Sequence, residues 1–286
     1  MVNYNSINIF KEILDIFDVK SVIKLEELIK LSLSKIDKNL VSIELDEITY
    51  KMKGGVTKQI NKYLEENNQK KIPPIFTWSV SYPGRLIGRC HILKDDKAEI
   101  IQLKKIWLEF NKIKSCLKEI DENQFEILSC LILDIKGCEE IKRTVRKRDK
   151  AIDFFGYLPF QEPIEKIKII GGATRSNVGD PKIREFFRSI TMVEMKSREL
   201  RTILPEPFLE ADLFVLGYFF TADKYSDVVE TAKYEDRYKL YRYNGDQMTS
   251  IICKKGICID DDFQFDYDDF IEYLNKLDEA YPLPSR

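Results

Sequence analysis

Between Ala151 and Phe220 the chain alternates short buried-strand patterns with helical ones. AIDFFGYL and IEKIKIIGGATR read as strands, and a helix follows from about Asp180. Its apolar positions Ile183, Phe186, Phe187, Ile190, Val193, Leu200 and Ile203 predict one long helical face from 183 to 203, and ADLFVLGYFF then reads as a further buried strand. Strands that bury both faces need cover on both sides, so this alternation predicts an α/β fold in which a sheet is flanked by helices. DENQFEILSCLILDIKGC, just upstream, predicts a helix that starts in an acidic turn and ends at Gly137. Downstream, DKYSDVVETAKYE reads as a helix, YKLYRYNGDQMTSIIC as a hairpin about Asn244-Gly245, and the acidic, aromatic tail as a helix that folds back.

The first third has a different pattern. INIFKEILDIF and VIKLEELIKLSLSKI are amphipathic helices, and Gly54-Gly55 divides ELDEITYKMKGGVTKQINKYLEENN into two short helical patterns at helix-turn-helix spacing. The β-formers Phe76 to Val80 and Leu86 to Ile92 flank Tyr82-Pro83-Gly84, a hairpin signal. Helices followed by a hairpin suit either a winged-helix arrangement, with Arg85 and Arg89 near the wing, or a small α+β packing module. IIQLKKIWLEFNKIKSCL reads as one linker helix. The expected organisation is therefore a mainly helical domain over 1–98, a linker helix over 99–120 and an α/β domain over 121–286.

With 286 residues, 44% of them hydrophobic, two domains can each bury a core. A formal net charge of −2 conceals two opposed runs: KRTVRKRDK, Lys142 to Lys150, has six basic residues in nine, and Asp260 to Asp269 has six aspartates. The first suits phosphates, as Arg143, Arg146, Lys147, Arg148 and Lys150; the alternative is a solvated face. Six cysteines without a CxxC pair, beside the single His91, argue against structural zinc. The absence of an apolar membrane-length run or an export pattern, together with free thiols, predicts a cytoplasmic protein.

Four stretches in order, FEILSCLILDIKGCEEI, RDKAIDFFG, IIGGATRSNVGDPKIREFF and ADLFVLGYFFTADKYSDVVETA, resemble the Mrr-like branch of the PD-(D/E)xK restriction-endonuclease superfamily. The resemblance covers the C-terminal half and implies a restriction-endonuclease-like domain that hydrolyses DNA phosphodiesters with Mg2+ or Mn2+, of restriction or phage-defence type. It assigns Asp153 and Glu126 to the metal. The family's second strand ends in a pattern like G-Q-A-K; here Gly171, Gly172, Ala173 and Thr174 stand in its place. Strand parity puts positions 172 and 174 on one face. The expected metal set is then Asp153, Glu126 and the Gly172 carbonyl, with Thr174 at the lysine position and Arg175 as substitute cation.

DNA is the implied partner, with a homodimer for double-strand cleavage, and no small-molecule cofactor is indicated. The alternative is a degenerate nuclease fold that binds DNA or a protein without cutting. Glu194-Met195-Lys196 matches ExK literally, with Gly179-Asp180-Pro181 upstream, but falls in a helical pattern where residues two apart diverge. Glu140 and Asp149 read as surface partners, and His91, Cys130 and Cys253 as structural.

Overall fold

The computed structural model describes residues 4–144, 151–160, 166–231 and 240–282. Two compact units divide the chain, Met1–Glu109 and Phe110–Arg286. The break interrupts the stretch read as one linker helix. It runs as α4 (Ala98–Ile106), a 3-10 turn (Trp107–Glu109) and α5 (Phe110–Glu119).

Unit 1 runs α1 (Ser6–Ile16), β1 (Val22–Lys24), α2 (Leu25–Ile36), α3 (Ser42–Lys70), β2 (Phe76–Trp78) and β3 (Arg85–Gly88) before α4. The strands form an antiparallel sheet in the order β1-β3-β2. Ile9, Ile13, Leu28, Ile29, Leu33, Val56, Ile60, Phe76 and Leu86 fill the core between helices and sheet. Two expectations are corrected. Val22 to Lys24 pair with Arg85 to Ile87 instead of opening α2, and Gly54-Gly55 lies inside a continuous helix of 29 residues instead of at a turn. Helix-helix contact decides the second case: an added Cβ at Gly55 would lie 2.9 Å from the Ser6 Cβ of α1.

Unit 2 contains α5, α6 (Glu122–Ile135), β4 (Glu139–Arg143), β5 (Phe154–Pro159), β6 (Lys166–Thr174), α7 (Asp180–Glu194), α8 (Glu206–Glu210), β7 (Val215–Thr221), α9 (Asp227–Thr231), β8 (Leu240–Tyr243), α10 (Gly245–Lys255) and α11 (Tyr267–Leu277). The five strands form a mixed sheet in chain order, antiparallel from β4 to β6 and parallel from β6 to β8. A reciprocal cap starts α6: the Asp121 side chain accepts from Gln124 N–H, and the Gln124 side chain accepts from Asp121 N–H. Asn244 and Gln247 repeat that device at α10, so the Asn244-Gly245 pair begins a helix and not a hairpin.

Side-chain parity across the sheet is set by its packing. Phe155, Ile170, Phe219 and Leu240 join Ile183, Phe186 and Ile190 of α7 in one buried cluster. On the opposite face the register aligns Arg143, Phe154, Gly171, Tyr218 and Tyr241 in a row, with Ala173, Phe220 and Tyr243 in the next. The Tyr218–Tyr241 and Phe220–Tyr243 rings stack at 5.1 Å, and α6 packs against β4 and β6.

Candidate functional site

β5 begins with an irregularity. Phe154 is the register partner of Gly171, yet the N–H of Asp153 also donates to the Gly171 carbonyl, at 2.8 Å. Two residues of one strand thus oppose one of the next, the arrangement of a bulge, which re-aims a side chain. The Asp153 carboxylate reaches along β6, where Oδ2 accepts from Ala173 N–H at 2.7 Å. Its own carbonyl accepts from Thr144 N–H at 2.8 Å, and Thr144 Oγ1 donates to the Ile152 carbonyl at 2.6 Å. Asp153 is half-buried and fixed from both neighbouring strands.

Glu126 sits buried in the first turns of α6. Cys130 lies one helical turn on. Burial pushes the Cys130 thiol far up; Arg143 opposes that shift, while the Glu126 and Asp153 carboxylates add to it. The two predicted carboxylates therefore act on the same buried thiol from different elements.

The remaining predicted residues lie elsewhere. An added Cβ at Gly172 would lie 2.8 Å from the Phe219 ring and 2.9 Å from the Ala151 carbonyl, on the α7 face. Positions facing α6, and hence Glu126, are Gly171 and Ala173, so the parity expected for Gly172 and Thr174 is displaced by one residue. Phe154 explains Gly171: an added Cβ there would fall 1.6 Å from its ring. Thr174 is buried, and its hydroxyl lies 3.2 Å from that of Ser176. Arg175, beyond the strand end, donates from Nη1 to the Ile120 carbonyl at 2.8 Å, next to the N-cap of α6.

Arg143 is corrected most plainly. It is not on the surface: 1% exposed, it donates Nε to the Tyr281 carbonyl at 2.7 Å, Nη1 to Asn123 Oδ1 at 2.6 Å and Nη2 to Asp278. Alternation decides this, because Arg143 pairs with inward-facing Phe154. Arg146, Lys147, Arg148 and Lys150 lie outside the described residues. In unit 1, Arg85 stands 5.8 Å over the Tyr82 ring beside the β2–β3 loop. Arg89 is at the other end of β3, where Nη1 meets the Pro73 carbonyl at 3.3 Å, away from the loop tip.

The sequence reading missed the backbone donor at Ala173 and the bulge that aims Asp153 at it. Neither has a side-chain signature. Among the described residues, no group of three or more His, Cys, Asp or Glu side chains is placed to hold a metal. Two carboxylates nevertheless fit magnesium, which binds through one or two of them and retains waters and substrate phosphates for its other positions.

No protein-family model matches the chain, and no curated protein matches its sequence. Solved structures similar to it include the MspJI restriction endonuclease in complex with a 27-mer oligonucleotide, at TM-score 0.37 and 13% identity over 70% of this chain and 42% of that one. The DNA modification-dependent restriction endonuclease AspBHI matches at TM-score 0.37 and 14% identity, over 66% and 43%. The restriction endonuclease FokI bound to DNA matches at TM-score 0.35 and 14% identity, over 87% and 44%. The chain thus spans less than half the length of each. No helix among the described residues is long and apolar enough to cross a membrane.

Proposed function

We propose that unit 2 is a restriction-type, divalent-metal-dependent deoxyribonuclease domain with its site at the bulged start of β5, and that unit 1 positions the DNA. The observation that supports this reading is the Asp153 carboxylate held at the end of β6 by the Ala173 N–H, with Glu126 buried on α6, the helix that packs against the same strand. These carboxylates would hold Mg2+ or Mn2+. Such an ion, when bound, polarises a phosphate and makes a nearby water more acidic.

The chain's own residues supply the rest. The Ala173 N–H fixes the Asp153 carboxylate at the end of β6. Arg175 uses one of its five N–H donors on Ile120 and retains the others for a phosphate at the strand end. The basic run at 146–150 would flank the same substrate. In unit 1 the order helix, strand, two helices and hairpin supports a winged-helix reading. Cytoplasmic location, a role in phage defence and a homodimer that cuts both strands belong to the same proposal.

A second reading is favoured by a specific observation. The α6-facing positions at the end of β6 are Gly171 and Ala173, which offer neither acid nor ammonium. Such a unit would bind DNA without cutting it.

Plasmid incubated with Mg2+ or Mn2+ separates the two. Cleavage by the wild type that is lost in both Asp153→Asn and Glu126→Gln supports the nuclease. Asparagine can still accept the Ala173 hydrogen bond, so the fold is retained and the lost charge is what the assay reads. Binding without cleavage in any metal establishes the second reading. Cleavage retained by both variants refutes the site.

A further inference from the structure

Gly54 and Gly55 lie side by side in α3, and only one has a packing reason to be glycine. Gly55 faces Ser6 of α1, where a Cβ would be crowded, whereas Gly54 is exposed and a Cβ there would meet nothing within 4 Å. Glycine in a helix interior weakens the helix relative to alanine. An exposed glycine with empty space around it is therefore a loss to folding, and its physical use is close approach by another molecule.

The surroundings indicate which molecule. From Tyr50 to Lys62 the helix carries Lys51, Lys53, Lys58 and Lys62 and no acid. Tyr50, one turn before Gly54, is 85% exposed, and Lys58 is exposed one turn after it. Lys51, Lys53 and Lys62 rest against Glu47, Glu26 and Glu66 in exposed pairs of small net strength, which a phosphate can displace.

The β2–β3 loop is tied to the same part of the helix. Trp78 Nε1 donates to Asn61 Oδ1 at 2.8 Å. The Gly84 carbonyl accepts from Leu25 N–H at 3.0 Å, and the next residue, Glu26, holds Lys53. Val80, 98% exposed, and Tyr82 with Arg85 over its ring project from that loop.

We infer that α3 is the element of unit 1 that docks on duplex DNA: the Tyr50–Lys62 face lies in the major groove, Gly54 marks the point of closest approach, and the Val80–Arg85 loop contacts the adjoining backbone. A helix fits that groove in width, and lysines on either side of the glycine match phosphates along its walls. The inference rests on the DNA-acting reading above and identifies the interface within it.

The experiment uses the full chain without added divalent metal, a labelled duplex of about three turns (~30 base pairs), its single strand, and the variants Gly54→Ala, Gly54→Gln, Tyr50→Ala and Lys58→Ala. The expected signature is opposed signs. Gly54→Ala and Gly54→Gln melt at or above the wild-type temperature, and Gly54→Gln binds the duplex about tenfold more weakly, the scale of one lost contact. Tyr50→Ala weakens binding without changing the melting temperature. Lys58→Ala lowers the salt slope by about one. Wild-type affinity in Gly54→Gln and Tyr50→Ala overturns the inference while leaving the DNA-acting reading in place, as does tighter binding to the single strand. A wild type that binds neither nucleic acid overturns both.

Discussion

Replacing Arg143 by methionine tests whether this arginine holds the fold together or holds DNA. Its side chain is 2% exposed and bridges three elements, donating to Asn123 on α6, to the Tyr281 carbonyl beyond α11, and to Asp278 at the end of α11. Methionine fills much of the volume and donates nothing. Two acceptors in protected surroundings then lose their partners, at ~1–3 kcal/mol each. Asp278 is 52% exposed and returns to water, so its pair adds little. Part of the loss is offset because a cation no longer has to be buried. The balance is a destabilisation of about 3 kcal/mol, a large share of the ~5–15 kcal/mol that holds a typical domain folded. Melting should fall by about 10 °C, and the urea midpoint should shift with it at unchanged m value. Arg143→Lys should recover less than half of the loss, because an ammonium cannot span three acceptors held in a fork. Duplex affinity below the melting transition should stay at the wild-type value. A destabilisation under ~1 kcal/mol together with weakened DNA binding would refute this reasoning and return Arg143 to the phosphate-binding set.

Two further outcomes follow from the sheet. Gly171→Gln should destabilise strongly, since its Cβ would fall inside the Phe154 ring, whereas Ala173→Lys, at a half-buried position on the same face, should fold; equal melting temperatures for the two would show that the parity assigned to β6 is wrong. Lys168 is fully buried with Nζ on the Leu209 carbonyl at 3.0 Å, and burial, followed by the nearby Lys196 charge, lowers its pKa. The folded state thus binds the proton less readily than the unfolded chain, so the lysine's contribution is complete above its ordinary value of 10.5 and is lost as pH falls through the depressed one. Urea unfolding of Lys168→Met and wild type at rising pH should show the wild type gaining on the variant; a constant difference refutes the assignment.

The elements that were legible in the sequence are those whose signals are local. α6 announces itself through Asp121 and Gln124, and β7 through an apolar run. Errors arose where a distant partner decides. Val22 to Lys24 pair with residues more than sixty positions away, and α3 continues through two glycines because α1 packs against the second. The Asn244-Gly245 signal was ambiguous in principle, since asparagine before glycine serves a hairpin turn and a helix cap alike. At the proposed site, Asp153 and Glu126 were named only through the family resemblance. The one-residue shift of parity along β6 had no sequence signal, because it depends on the space that the Phe154 ring occupies over Gly171.

That same ring limits what the site can be. Arg143, Phe154, Gly171, Tyr218 and Tyr241 form one packed row across the sheet, so an acid at 171 would require Phe154 to leave a position where it is fully buried. Any negative charge for a metal must therefore come from outside β6, and Asp153 and Glu126 are the carboxylates proposed to supply it. The hydrogen bond from Ala173 needs only an acceptor at position 153, and an asparagine would serve. A carboxylate there places a charge at a half-buried position. A divalent cation would neutralise it, which is why the comparison of Asp153 with its asparagine variant separates a nuclease from a scaffold that only binds.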